Sequence, residues 1–127
     1  AYIHAVGGVT IGTGVIIGPR IKIHSSNHNF RSSKHIPYDE KTNFKSVTIG
    51  DGTWIGDSVM IAPGVTIGKG CIIGMGVVVT SNIEDFSIVT SDCMNIKKRS
   101  AEDVSSFYRK HELGAFYMKW KLEGEDK

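Results

Sequence analysis

Along most of the chain an aliphatic residue returns every six positions. From Ile11 the sequence reads IGTGVI, IGPRIK, IHSSNH, and after an interruption it resumes at Ile49 as IGDGTW, IGDSVM, IAPGVT, IGKGCI, IGMGVV, VTSNIE. The first position is always Ile or Val, and the fifth is usually small or β-branched and apolar, from Val15 and Ile21 to Val77 and Ile83. Ile3, Val9 and Val47 continue the fifth-position phase at the edges. Gly holds the second position in six of the nine hexads, and His24, Ala62 and Thr80 are the departures. A helix of 3.6 residues per turn cannot keep a period of six on one face. Short strands joined by glycine-bearing turns can, because β-branched residues suit strands and Gly tolerates the turn backbone. The pattern therefore predicts a parallel β-helix in which three hexads make one triangular coil. A sandwich would alternate instead, with turns every eight to twelve residues.

The interruption has a measurable size. Ile23 to Ile49 is 26 residues, read as two hexads plus an insertion of 14, residues 29–42, with Asn43 resuming the register ahead of Val47. A long polar loop inside so regular a stack is usually functional. Three of the five histidines, His24, His28 and His35, crowd around it. The register puts His24 on a turn, His28 at an outward sixth position where the loop departs, and His35 within the loop. Stacking by whole coils then predicts His28 above Met60 and Val78 on one edge, with Ala62 and Thr80 stacked on each other.

After Asp85 the beat fades. SIVTSDCM reads as a last strand and turn, and Ser100 with Asp103 three residues on resembles a capping box opening a helix. Val104, Phe107, Tyr108 and His111 give that helix an apolar stripe, Gly114 ends or kinks it, and FYMKW (116–120) is expected to pack on the core or on another copy. The expected organisation is a β-helix over 1–90 and a C-terminal turn and helix over 91–127, within one domain.

Composition changes this picture little. A net charge of +2 on 127 residues does not suggest a nucleic-acid binder, and neither a membrane span nor a signal peptide is evident. A cytoplasmic protein with reduced thiols is expected, Cys71 filling a small core slot and Cys93 carrying no assigned role. The chain opens on Ala1 rather than Met, with Ile3 already on the repeat, so it is read as beginning mid-fold or lacking upstream residues.

IKIHSSNHNF before an external loop, then VTIGDGTWIGDSVMIAPGVTIGKGCIIGMGVVVTSNI, then IKKR, resemble the hexapeptide-repeat acyltransferases, specifically the acetyl-CoA-dependent sugar and xenobiotic O-acetyltransferases, over residues 9 to 99. The resemblance implies a mainly β fold, a left-handed parallel β-helix with an external loop and a C-terminal helix. It implies acetyl-CoA as co-substrate, no metal, and a homotrimer with its sites between subunits. His28 matches the family's general base, and an imidazole that titrates near neutrality suits taking a proton from an attacking hydroxyl. Trp54 matches the tryptophan beside the thioester. Asp57, Ala62, Met75, Thr80 and Ser81 match cofactor-contacting positions, and Lys97 and Lys98 sit where basic side chains meet the cofactor's phosphates. The acceptor implied is a sugar or glycan-precursor hydroxyl.

Three positions depart from the family's pattern. SDCMN (91–95) replaces a GNPAK-like stretch, so that Asn95 stands where a basic residue is common. Met75 replaces a small residue, and Val6 stands where some relatives have an acid. Two alternatives belong to other classes. One is a non-catalytic β-helix subunit. The other is a zinc carbonic anhydrase-like enzyme, which needs three converging nitrogen ligands. The register separates His24, His28 and His35, and leaves one catalytic base rather than a triad.

Overall fold

In a computed structural model of the chain, the structure describes residues 1–31, 34–91 and 95–112, with side chains to 109. Fourteen short strands, β1 to β14 in chain order, and one helix form among them. One face of a prism stacks β1 (Tyr2–His4), β4 (Lys22–His24), β9 (Met60–Ile61) and β12 (Val78–Val79). The second stacks β2 (Val9–Ile11), β7 (Val47–Ile49) and β10 (Thr66–Ile67), extended by a bridge from Ile67 to Ile83. The third stacks β3 (Ile16–Ile17), β8 (Trp54–Ile55), β11 (Ile72–Ile73) and β13 (Ser87–Thr90), and β14 (Asn95–Lys98) closes it antiparallel. Every stacking pair within the coils is parallel.

Each strand of the regular coils is centred on the sixth and first residues of successive hexads, with the fifth just before them. Fifth and first point inward, and the sixth points out. Ile21 and Ile23, Val47 and Ile49, Val59 and Ile61, Val65 and Ile67, Cys71 and Ile73, and Val77 and Val79 are accordingly all buried. Each full burial of such an aliphatic side chain is worth about 1.5–3 kcal/mol, so the axial column of aliphatics is what holds the coils in register. Cys71 belongs to this column; its thiol lies 3.2 Å from the Glu84 carbonyl oxygen, and burial pushes its pKa up. Left-handed turns follow the strands, with Gly14, Gly52 and Gly70 at one corner.

Three details of the register differ from the sequence reading. Ile11 pairs with Ile49, 38 residues on, whereas Ile49 to Ile67 is one plain coil of 18, so the insertion is 20 residues and not 14. The register resumes at Val47 rather than Asn43, because residues 42–44 form β6 (Thr42–Phe44), the antiparallel partner of β5 (Ser26–His28), and not a wall of the prism. Ile3 pairs with Ile23, in the first-position column, because the corner at 5–8 holds two extra residues and turns on a hydrogen bond from Gly8 N–H to the Ala5 carbonyl, 2.9 Å.

The helix, α1 (Ala101–Glu112), begins where predicted, with Ser100 Oγ accepting from the Asp103 amide at 3.1 Å. Phe107 and Tyr108 pack edge-on against Phe86 at 5.2 and 5.5 Å, and Lys69 Nζ lies 5.0 Å over the Tyr108 ring. The Tyr108 side chain holds Lys69 above its ordinary pKa. Val104 and Phe107 of the expected stripe are half-buried; the side chain of His111, together with Cys93, Gly114, the FYMKW segment and all of SDCMN but Ser91 and Asn95, lies outside the described residues.

Candidate active site

The insertion leaves the prism as an antiparallel arm. Ser25, fully buried, anchors its base: its hydroxyl donates to the His4 carbonyl at 2.7 Å and accepts from the Gly7 amide at 2.8 Å, and its carbonyl accepts from Lys45 N–H at 2.8 Å. Only Gly fits at position 7, where a methyl group would stand 2.0 Å from the Ser25 carbonyl oxygen. Three residue pairs then run up the arm: Ser26 with Phe44, Asn27 with Asn43, and His28 with Thr42. Beyond them Asn29 Nδ2 donates to Asp39 Oδ2 at 3.0 Å and ties the neck of the loop. Tyr38, carried back by that loop, stacks flat on the His28 ring, with centroids 3.8 Å apart and planes 7° from parallel.

His28 is exposed and borders a groove of about 750 Å³ between the arm and the first prism face. With the insertion at 20 residues, the side chain that stacks directly on Met60 and Val78 is Lys22 and not His28. His28 nevertheless reaches both, because the arm folds over that face and all three line the groove. Ala62 lines it too, one coil below Thr80 as expected, as do His24, Val6 and Phe44. His24 thus faces the groove rather than only filling a turn. His4, which the sequence reading passed over, stands beside it, with rings 5.8 Å apart and Nδ1 3.5 Å from the Ser26 hydroxyl. The signal was present: Ile-His occurs at both 3–4 and 23–24, and the second-position departures His24, Ala62 and Thr80 all stack in this one corner. His35 is exposed in the loop and does not line the groove.

Three histidines therefore meet at the groove, in a combination different from the one the loop suggested. Even so, no set of three His, Cys, Asp or Glu side chains among the described residues is placed to hold a metal ion.

Trp54, Asp57 and Met75 come together elsewhere. They line a second pocket of about 410 Å³ beside the third prism face, with Ile72 as part of its wall. Trp54 projects from a sixth position, 54% exposed, and Met75 is 73% exposed. Asp57 is held by Arg20 Nε at 3.0 Å, by Arg20 Nη2 and by the Ser58 hydroxyl. The Ser58 hydrogen bond, followed by the Arg20 guanidinium, keeps the Asp57 carboxyl below its usual range. The His28 groove and the Trp54 pocket share no lining residue. Thr80 and Ser81 lie past β12 and border neither. Lys97 and Lys98 lie on β14; Lys98 Nζ bonds the Asp85 carbonyl at 2.9 Å and pairs with Glu84 at 3.0 Å.

Residues 46–81 match the family described as bacterial transferase hexapeptide (six repeats). A hexapeptide-repeat acetyltransferase from Vibrio cholerae, solved with acetyl coenzyme A, is 29% identical, with 72% of this chain and 49% of that chain covered and a TM-score of 0.62. A maltose O-acetyltransferase from Clostridium difficile shares the fold at 23% identity, over 76% of this chain and 63% of that one, with a TM-score of 0.60. An N-acyltransferase variant from Bacillus cereus, solved with dTDP and coenzyme A, does so at 17% identity, over 90% and 66%, with a TM-score of 0.67. The chain resembles hexapeptide-repeat acetyltransferases, and its fold is the left-handed parallel β-helix. It spans about half the length of the Vibrio cholerae protein. No helix among the described residues is long and apolar enough to cross a membrane.

Proposed function

We propose that the chain is the catalytic core of an acetyl-CoA-dependent O-acetyltransferase acting on a sugar or glycan-precursor hydroxyl, with His28 as general base. The observation that carries this is the placement of His28: an exposed imidazole, stacked on Tyr38, at the lip of an open groove. The imidazole takes the proton of the acceptor hydroxyl as its oxygen attacks the thioester carbonyl carbon. The tetrahedral adduct collapses with loss of the C–S bond, and the proton passes to the departing thiolate, giving an acetyl ester and free CoA. General-base help of this kind contributes about 10²–10⁴ in rate. The Vibrio cholerae acetyltransferase, similar in sequence as well as fold, supports acetyl-CoA as the donor.

Trp54, with Asp57 and Met75 beside it, offers an apolar wall for the cofactor's pantetheine arm; Ala62, Thr80, Ser81, Lys97 and Lys98 remain cofactor contacts by resemblance. Because His28 and Trp54 lie on different faces with no shared pocket, both meet one thioester only where two copies adjoin. This supports sites between subunits of a homo-oligomer, which by resemblance is a trimer. The location proposed with this donor is the cytoplasm. The test is incubation with acetyl-CoA and a panel of hydroxyl and amino sugars, the product analysed by mass spectrometry and alkaline hydrolysis. An alkali-labile ester supports the proposal; an alkali-stable amide, or no transfer, refutes it.

A further inference from the structure

One corner of the prism departs from the other two. At those two the second position of each hexad is glycine, with Gly12, Gly50 and Gly68 at one and Gly18, Gly56 and Gly74 at the other. A methyl group at these positions would stand 2.3 to 3.1 Å from the adjoining coil, so the coils close tightly over them. At the third corner the matching positions are His4, His24, Ala62 and Thr80. The chain leaves its regular path just beyond the first two, at 5–8 and at 25–45, and side chains have room there.

His24 uses that room. It is exposed and lines the His28 groove, on the coil from which the arm springs. The rings of Tyr2 and His4 flank it, with centroids 5.7 and 5.8 Å away, and limit how it turns. No described residue hydrogen-bonds its ring nitrogens, whereas His4 Nδ1 faces the Ser26 hydroxyl at 3.5 Å. The coils that follow bring only Met60, Ile61, Ala62, Pro63 and Val78 to the groove, all apolar. No Asp, Glu, Lys or Arg lines it among the described residues. An oriented imidazole with unpartnered nitrogens therefore stands on the prism wall, and His28 stands on the arm wall. They are four residues apart, a chain reach of at most about 14 Å, so a single acceptor can meet both.

Resting on the acetyltransferase reading, we propose that His24 determines which acceptor hydroxyl is acetylated. It hydrogen-bonds a second hydroxyl of the sugar while His28 takes the proton of the first. A neutral imidazole has one donor and one acceptor nitrogen, so it pairs with a hydroxyl in either sense. The apolar wall of Met60, Ala62 and Val78 suits the C–H face of the ring between them. His24 forms and breaks no covalent bond; it binds and orients. The acceptor class is an uncharged polyol ring bearing two hydroxyls, one held and one attacked. Where a site is built to bond a substrate hydroxyl, an analogue lacking that hydroxyl is rejected.

The test uses the full chain, acetyl-CoA, methyl glycosides of the panel's sugars and their monodeoxy analogues. Wild type is compared with His24→Phe, which keeps a ring without nitrogens, and with His24→Gln, which keeps a donor and an acceptor. Wild type is expected to acetylate one hydroxyl, its position read by NMR, and to lose about tenfold in kcat/KM on one monodeoxy analogue. His24→Phe should raise the acceptor KM about tenfold, spread acetyl over more than one hydroxyl, and show no further loss on that analogue. KM for acetyl-CoA should stay within about twofold, and His24→Gln should recover most of the loss. Unchanged KM and product in His24→Phe overturns the proposal, as does an equal loss on every analogue. Sugar binding is followed separately by saturation-transfer NMR, with His28→Ala carrying His24 or Phe at that position. Binding weakened by His24→Phe, without transfer by wild type, would sink the acetyltransferase reading and keep His24 as a sugar contact. Binding that is absent, or indifferent to His24, overturns the proposal itself.

Discussion

The coils and the arm hold their residues in different ways. A residue in the coils from Val47 to Val79 is fixed by parallel pairing to the coils that adjoin it and by a continuous aliphatic column within. A residue in the arm has a three-pair antiparallel ladder, the Asn29–Asp39 tie and, for His28, one stacked ring. The coils supply the floor of the groove, and the proposed base, His28, stands on a part with much less burial behind it. Substitutions in the coils should therefore cost stability, and those in the arm should cost turnover.

The largest stability effect is expected from Ile67→Ala, which empties a fully buried slot between Ile49 and Ile83. A loss of about 2–5 kcal/mol is expected in chemical denaturation; a loss below 1 kcal/mol would mean that the column does not hold the coils. Trp54→Ala, by contrast, removes an exposed side chain and should leave stability nearly unchanged while raising KM for acetyl-CoA about tenfold. Unchanged KM would remove Trp54 from the cofactor's path.

Tyr38→Ala tests the arm itself. The stacked pair is worth about 0.5–1.5 kcal/mol, so kcat should fall between about twofold and tenfold, with the melting temperature within a degree or two. Tyr38→Phe keeps the stack and should restore the rate. A melting temperature that falls steeply with unchanged kcat would make the stack structural only.

Much of this was legible in the sequence, and the boundary between what was and was not is physical. Period six fixes which residues point inward, so the strands, the core from Ile21 to Val79 and the outward places of Trp54 and Met60 could be read directly. Corners and insertions carry no period. The two extra residues before Gly8 hid His4, and the length of the insertion depended on knowing that Thr42–Phe44 pairs with Ser26–His28 instead of walling the prism. His28 was found by resemblance and by its place at the break; Tyr38 stacks on it, and Phe44 joins it along the groove, through arm geometry that no local pattern encodes.

The smallest effect concerns the corner turn. Asp57 has its carboxyl pKa lowered in the folded chain by Ser58 and Arg20, so its contribution to stability is present above the ordinary aspartate pKa of about 3.9. It is lost as pH falls through the lower folded value. Wild type should exceed Asp57→Asn in melting temperature at pH 7, and the gap should close in that acid window. A gap independent of pH would show that the carboxylate's charge is not what holds Arg20.

The most direct test is His28→Ala, measured for turnover with acetyl-CoA and an accepted acceptor and, separately, for CoA affinity. The account predicts a loss of about 10²–10⁴ in kcat with CoA affinity within about twofold of wild type and unfolding unchanged. Turnover within tenfold of wild type would contradict a general base at His28.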